Sequence, residues 1–261
     1  MKLTVVGCAG SFPNAQSAAS AYLVEADAGG RTWRLLLDLG NGASGPLHQY
    51  VEPGELDALA ISHLHCDHGA DVVVLNVYLR YHPEGARSPI RLLSPSGTPE
   101  RLAEISGSDP ATDTNGQFSF EPWIDRQRVT VGPFEIEPVR VNHPIEAYGM
   151  RITGPSEADP DRRVTLAYTG DTDDCPALDD LARDVDLLLS EAAFLEGAAD
   201  HVRGVHLTGR RAGEVAERTG AKRLVLTHLV QWNDPAVSLA EARSAFTGPL
   251  DVAKPGAVYT V

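Results

Sequence analysis

The run Ser62-His63-Leu64-His65-Cys66-Asp67-His68-Gly69 decides how this chain is read. It has the spacing H-x-H-x-D-H and directly follows the apolar stretch Leu56-Asp57-Ala58-Leu59-Ala60-Ile61. Packing three imidazoles and a carboxylate into so short a run suits divalent metal ions. Imidazole nitrogen and carboxylate oxygen are good ligands for zinc and its first-row neighbours. His63 and His65 are two residues apart, so in extended chain they project to the same side. Asp67 and His68 are adjacent, so a turn must aim them elsewhere, toward a second ion.

Further along the chain come Asn142-His143-Pro144, Thr169-Gly170-Asp171-Thr172 and Leu226-Thr227-His228-Leu229. Each follows a β-rich apolar run, at 139–141, 164–168 and 223–226. Four such motifs in this order resemble the metallo-β-lactamase superfamily, and the resemblance runs the whole chain. It implies an α/β fold, the αββα sandwich of two mixed β-sheets flanked by helices, with metals at one edge between the sheets. Carried over by position, His63, His65 and His143 would hold one ion. Asp67, His68 and His228 would hold the other, and Asp171 would bridge them. The implied cofactor is a pair of divalent ions, zinc first, with manganese and iron(II) accepting the same ligands. His48 and His82 lie outside every motif and read as ordinary polar residues.

At 261 residues the chain is long enough to bury a sizeable core, and we expect a single hydrolase domain over 1–261. No interdomain linker or low-complexity segment is evident. A hydrophobic content of 43% with 22% charged residues is ordinary globular composition. No apolar run reaches the length of a membrane span, and the apolar run at 3–6 is too brief for a secretory leader. Cys8, Cys66 and Cys175 make an odd set without metal-type spacing, so a reducing, cytoplasmic setting is expected. Cys66 stands where the resembled family has a small residue, and reads as a buried small side chain. The net charge of −14 opposes binding of long nucleic acids, whose affinity comes largely from Lys and Arg on phosphates. It leaves room for a small anionic substrate, because two metal ions would dominate their local field.

Period-two patterns broken by Gly and Pro predict strands at 3–6, 21–25, 33–38, 56–61 and 90–93. Further strands are predicted at 128–131, 134–141, 150–153, 164–168, 186–190 and 223–226. Helices are predicted at 71–81, 99–105, 177–183, 209–219 and 239–246. Residues 106–116 read as a polar loop and 154–163 as a hairpin tip. The apolar run at 72–79 calls for burial or for an interface between copies of the chain, such as a homodimer.

Fold alone does not settle the substrate, since this superfamily hydrolyses lactams, thioesters, lactones and phosphodiesters. Asp171 together with the full Asp67-His68 pair argues for a symmetric dinuclear site of the kind that polarises phosphoryl oxygens. The segment His206-Leu207-Thr208-Gly209-Arg210-Arg211-Ala212 resembles the C-terminal part of ribonuclease Z-type enzymes. That resemblance implies that His206 donates a proton near the scissile phosphate, with Glu191 of Ser190-Glu191-Ala192 orienting it and Asp67 orienting the attacking water. On its own, His206 would read as a residue beside a helix start, with Thr208 as the cap. His143-Pro144-Ile145-Glu146-Ala147-Tyr148-Gly149 is similar to the same branch, with Tyr148-Gly149 read as a structural turn. Ribonuclease Z carries a long tRNA-gripping arm between the positions of His143 and Asp171, but here only 27 residues separate them. The chain is more similar to armless members, an actinobacterial group of cyclic-nucleotide phosphodiesterases. The matching runs are Val6-Gly7-Cys8-Ala9-Gly10-Ser11 and Arg80-Tyr81-His82-Pro83. The expected activity is therefore hydrolysis of a small phosphodiester such as cAMP. The alternatives are a tRNA 3′-processing endonuclease, a hydrolase of lactones, thioesters or other non-phosphate esters, and a non-catalytic binding protein.

Overall fold

The computed structural model describes residues 1–109 and 116–261. The first half builds a seven-stranded sheet from β1 (Lys2–Gly7), β2 (Ala21–Ala28), β3 (Arg31–Leu37), β4 (Ala58–Ala60), β5 (Ile90–Ser94) and β6 (Phe118–Pro122), closed at the β1 edge by β14 (Val258–Thr260). The second half builds another from β7 (Val129–Val131), β8 (Phe134–Arg140), β9 (Tyr148–Pro155), β10 (Arg163–Tyr168), β11 (Leu187–Glu191), β12 (Leu224–Thr227) and β13 (Leu250–Val252), in that spatial order. Each sheet is antiparallel where hairpins connect its strands and parallel where helices or long crossovers do, as chain geometry requires.

Helices cover the outer faces. α1 (Ser44–Leu47), α2 (Cys66–Gly69), α3 (Val72–Arg80) and α4 (Thr98–Ser106) belong to the first half. α5 (Ala177–Leu181), α6 (Gly209–Thr219) and α7 (Pro235–Arg243) belong to the second. Between the sheets, alternate residues of both meet. Leu3, Tyr22, Leu35 and Leu37 of the first pack with Ile136, Met150, Leu166 and Leu189 of the second. A second apolar layer joins Leu36 and Leu59 to Leu75, Leu79 and Leu102 of the helices. A third joins Leu188 and Leu226 to Leu181, Val215 and Phe246. A strand buried on both faces should read as a continuous apolar run rather than an alternating one. Leu187-Leu188-Leu189 and Leu224-Val225-Leu226 do so, and all six are buried. Each fully buried leucine is worth about 1.5–3 kcal/mol against exposure. This is the αββα sandwich.

Strand direction positions the site. β1, β3 and β4 run the same way in one sheet. β8, β10, β11 and β12 do so in the other. Their carboxyl ends form one edge, and the loops leaving them hold every candidate ligand. The two sheets are stitched there by a bridge between His63 and Ala147 and by the Tyr148 N–H, which donates to the Ser62 carbonyl at 3.0 Å.

Several expectations need correction. The strand at 56–61 shortens to the three residues of β4, because Pro53–Glu55 forms a 3-10 turn. The last helix starts four residues earlier than expected, at Pro235, because the Asp234 side chain accepts from the Ala236 N–H at 2.9 Å and caps it. Tyr148-Gly149 is not a turn but the start of β9. Glycine is needed at 149 because a Cβ there would lie 2.4 Å from Leu181 of α5. The apolar run of α3 is only half buried: Val72, Leu75 and Leu79 are covered, whereas Val74 and Val77 are exposed. The hairpin tip expected at 154–163 joins β9 to β10. The polar loop expected at 106–116 falls largely outside the described residues.

Candidate metal centre

Two clusters of ligand atoms form where the strand ends meet. His63, His65 and His143 make the first; Asp67, His68, Asp171 and His228 make the second. The His65 Nδ1 lies 3.1 Å from both the His63 Nε2 and the His143 Nε2. Tetrahedral zinc–nitrogen bonds of about 2.0 Å place their ligands roughly 3.3 Å apart, so this trio fits one ion. In the second cluster the His68 Nε2 lies 3.4 Å from Asp67 Oδ2 and 3.2 Å from Asp171 Oδ1. The His228 Nε2 lies 3.2 Å from Asp171 Oδ2 and 3.6 Å from Asp67 Oδ2. Asp171 Oδ2 is also 3.7 Å from the His63 Nε2, so its carboxylate stands between the two clusters.

The His68 Nε2, the His228 Nε2 and Asp171 Oδ1 are buried without a hydrogen-bond partner. A buried polar atom left unpaired costs about 1–3 kcal/mol, more when charged. Three such atoms converging on one point are accounted for by a cation, and the donor set fits one.

The electrostatics agree. Burial, aided by the neighbouring imidazoles, pulls His63 well below the usual histidine range and lowers His65, His143 and His228. A neutral imidazole is the form that binds metal. Burial resists ionisation of Asp171, but His228 and His68 outweigh it and hold the carboxyl well below its usual range. His68 is the exception. Burial opposes its charge, yet Asp171, Asp38 and Asp67 together raise its pKa well above normal. The three carboxylates thus favour positive charge at this point, which a bound metal ion would supply.

The far side of each ring is also held. The His143 Nδ1 donates to the Val205 carbonyl at 2.9 Å, and the His228 Nδ1 pairs with the Ser20 Oγ at 3.3 Å. Asp38, at the end of β3, is fully buried and went unnoticed in the sequence. Its Oδ2 lies 2.7 Å from the His68 Nδ1 and accepts from the Tyr168 hydroxyl at 2.7 Å. The same carboxylate accepts from the Ser62 N–H and hydroxyl at 2.6 and 2.8 Å, which orders the start of the H-x-H-x-D-H loop. Asp38 and His228 both adopt left-handed backbone at φ 57°, a conformation that costs a non-glycine residue about 1–3 kcal/mol. Asp38→Asn should keep the fold but weaken metal binding by about 10–100-fold, the usual cost of losing such a supporting carboxylate. Competition with a graded chelator measures it, and unchanged affinity would remove Asp38 from the account.

His206 and Glu191 stand beside the clusters. The His206 Nδ1 lies 2.9 Å from Glu191 Oε1 and 3.9 Å from Asp171 Oδ2. Burial opposes charge on His206, but the charge and hydrogen bond of Glu191, with Asp171, carry its pKa up to about 9. Glu191 is itself fixed by the N–H groups of Thr172 and Ala193 at 2.9 and 3.1 Å. Asp173 tethers the loop that brings His206 in. Its carboxylate accepts from the Arg203 Nε at 2.6 Å, from the Gly204 N–H at 2.8 Å and from Arg211 at 3.3 Å. The Thr208 hydroxyl accepts from the Arg211 N–H at 3.2 Å and caps α6 as expected. The candidate ligands His63, His65, Asp67, His68, His143, Asp171 and His228, with His206 and Glu191, therefore all lie at this one edge.

The Beta-lactamase superfamily domain matches residues 33–229, more than half of the chain and the segment that carries all of these residues. The chain belongs to the metallo-β-lactamase superfamily. This superfamily member is 38% identical over 252 residues to an uncharacterized protein of Mycobacterium tuberculosis, covering 96% of this chain and 88% of that protein. It is 32% identical over 259 residues to the probable metallo-hydrolase YhfI of Bacillus subtilis, covering 99% of each. The crystal structure of YhfI matches at a TM-score of 0.82 with 28% identity, covering 100% of this chain and 98% of that one. A ribonuclease Z of Halorubrum lacusprofundi is 28% identical over 296 residues, covering 95% of this chain and 93% of that protein. This superfamily member is a metallo-β-lactamase-fold hydrolase related to ribonuclease Z.

One expectation about the metallo-β-lactamase loop is overturned: Cys66 is exposed, not buried. It opens the single turn of α2, which buries Asp67 and His68 and leaves the preceding residue facing out. Among the described residues, no helix is long and apolar enough to cross a membrane.

Proposed function

We propose that the protein is a dinuclear metallo-phosphodiesterase that hydrolyses a small phosphodiester, a 3′,5′-cyclic nucleotide such as cAMP, to the nucleoside 5′-monophosphate. His63, His65 and His143 would hold one ion, Asp67, His68 and His228 the other, with Asp171 shared. Zinc is the ion we favour on ligand chemistry. Two bound ions would lower the pKa of the attacking water and take up charge on the phosphoryl oxygens. Asp67 would accept a hydrogen bond from that water and orient it.

The observation that carries the reading is the His206–Glu191 pair, whose Nδ1–Oε1 distance of 2.9 Å fixes the imidazole 3.9 Å from the Asp171 carboxylate. With Nδ1 committed to Glu191, Nε2 is the atom left to deliver a proton. A sugar oxygen is a poor leaving group and demands an acid, whereas a lactone or thioester needs one less. The charge and the missing arm favour a small substrate over tRNA. The net charge is −14, and β9 and β10 occupy eight and six of the 27 residues between His143 and Asp171.

A turnover panel on metal-loaded protein tests this, with cAMP, cGMP, an aryl phosphodiester, precursor tRNA and a lactone. The cyclic nucleotides should be turned over and precursor tRNA poorly or not at all. Accurate 3′ cleavage of precursor tRNA with no cAMP turnover would reverse the ranking. Aryl diester cleavage alone would not separate the two, because that leaving group departs without a precise fit.

A further inference from the structure

We propose that Phe12 and Trp232 form an aromatic platform that stacks the base of the substrate, an inference that rests on the cyclic-nucleotide reading above. Trp232 is 70% exposed. Its ring centroid lies 5.4 Å from that of Phe12, tilted by 40°, within the range over which aromatic rings attract. Single exposed aromatic residues are common on protein surfaces. This one differs in where it is and how it is held.

Trp232 lies four residues past His228, and Phe12 two residues past Gly10. The two loops are joined against the metal centre. The Gly10 N–H donates to the Leu229 carbonyl at 3.1 Å, and Ala9 and Leu229 form a parallel bridge. Gly10 sits so close that a Cβ there would lie 2.3 Å from the His228 carbonyl oxygen and 3.0 Å from its ring. Only glycine permits that approach. The turn that presents Trp232 is closed by the Asn233 N–H, which donates to the Val230 carbonyl at 3.0 Å. The Asn233 side chain then donates to the Ala193 carbonyl at 2.8 Å, and the Ala193 N–H in turn holds Glu191. The segment that carries the exposed indole is thus tied on one side to the residue after a candidate metal ligand and on the other to the residues that hold the His206–Glu191 pair. On the Phe12 side, Pro13 reaches within 3.6 Å of where a Cβ at Gly42 would lie, and the Asn41 N–H donates to the Cys66 carbonyl in the ligand loop.

A diester seated on the metals must project its substituent toward the rim. A planar base directed to this part of the rim would stack on the exposed indole, and stacking tolerates any base because every base has a π-face. The platform would therefore set affinity for nucleotides without selecting strongly between adenine and guanine.

The test compares wild type, Trp232→Ala and Trp232→Phe, all metal-loaded, on cAMP and on a ribose 3′,5′-cyclic phosphate that carries a methyl group in place of the base. Trp232→Ala should raise KM for cAMP by about 5- to 150-fold, the span of base–aromatic stacking, with kcat little changed. KM for the base-free diester should not move, and Trp232→Phe should recover most of the loss. Because the indole is mostly in solvent, truncation leaves the core intact. Tryptophan emission of the wild type should also be quenched on titration with 5′-AMP, and this response should vanish in Trp232→Ala. An unchanged KM for cAMP, or an equal rise for both diesters, would overturn the platform while leaving the phosphodiesterase reading in place. Failure of wild type to hydrolyse any cyclic nucleotide would overturn that reading, and the platform with it.

Discussion

Replacing Asp171 with alanine is expected to disturb both metal clusters at once. Its carboxylate lies 3.2 Å from the His68 Nε2, 3.2 Å from the His228 Nε2 and 3.7 Å from the His63 Nε2. Its carboxylate is thus within reach of ligands from both clusters. The variant would lose the anion that compensates two like-charged ions held side by side. Metal content should fall from two ions per chain to one or fewer. Turnover of a cyclic nucleotide should drop by more than the roughly 10²–10⁴-fold that acid catalysis supplies. Elemental analysis after desalting measures the first and a coupled assay the second, with circular dichroism to establish that the sandwich is intact. Two fully occupied sites in this variant would end the bridging assignment.

His206→Ala should separate acid catalysis from metal binding. Its loss should cost about 10²–10⁴-fold in turnover of cAMP. An aryl diester, whose leaving group needs little protonation, should lose far less. Metal content should be unchanged, because the His206 Nδ1 is engaged by Glu191 rather than by either ligand cluster. Equal losses on both substrates with metal retained would assign His206 to positioning the phosphate. Loss of one ion would make it a ligand, a role that its place with Asp171 and Glu191 in a third cluster of donor atoms makes worth testing.

The parts of this site that were legible in the sequence share a physical cause. Metal-binding side chains must leave strand ends in tight loops, so their spacing is short and local, as in His63 to His68. The central strands are apolar on both faces and announce themselves as unbroken runs, as in Leu187-Leu188-Leu189. What escaped notice depends on long-range contact. Asp38 follows Leu35-Leu36-Leu37 as Asp171 follows its own strand, but only the folded chain brings it to the His68 Nδ1, 30 residues on. Asp173 and Arg203 are also 30 apart and have no motif; their pairing exists because the loop must be tied down. β13 and β14 were missed because each is three residues long and depends on neighbours from distant parts of the chain. The exposure of Cys66 was misread because residue size says nothing about which side of a helical turn faces out.

The central claim is that this edge of the sandwich hydrolyses a cyclic phosphodiester with the help of metal and an acid. The most direct measurement is the product formed from cAMP by protein stripped with a chelator and then reloaded with zinc or manganese. The account predicts no turnover by the stripped protein and, after reloading, 5′-AMP as the sole nucleotide product, because the proposed role of His206 is to protonate the departing 3′ oxygen. Formation of 3′-AMP, turnover that survives stripping, or no turnover with either metal restored would contradict it.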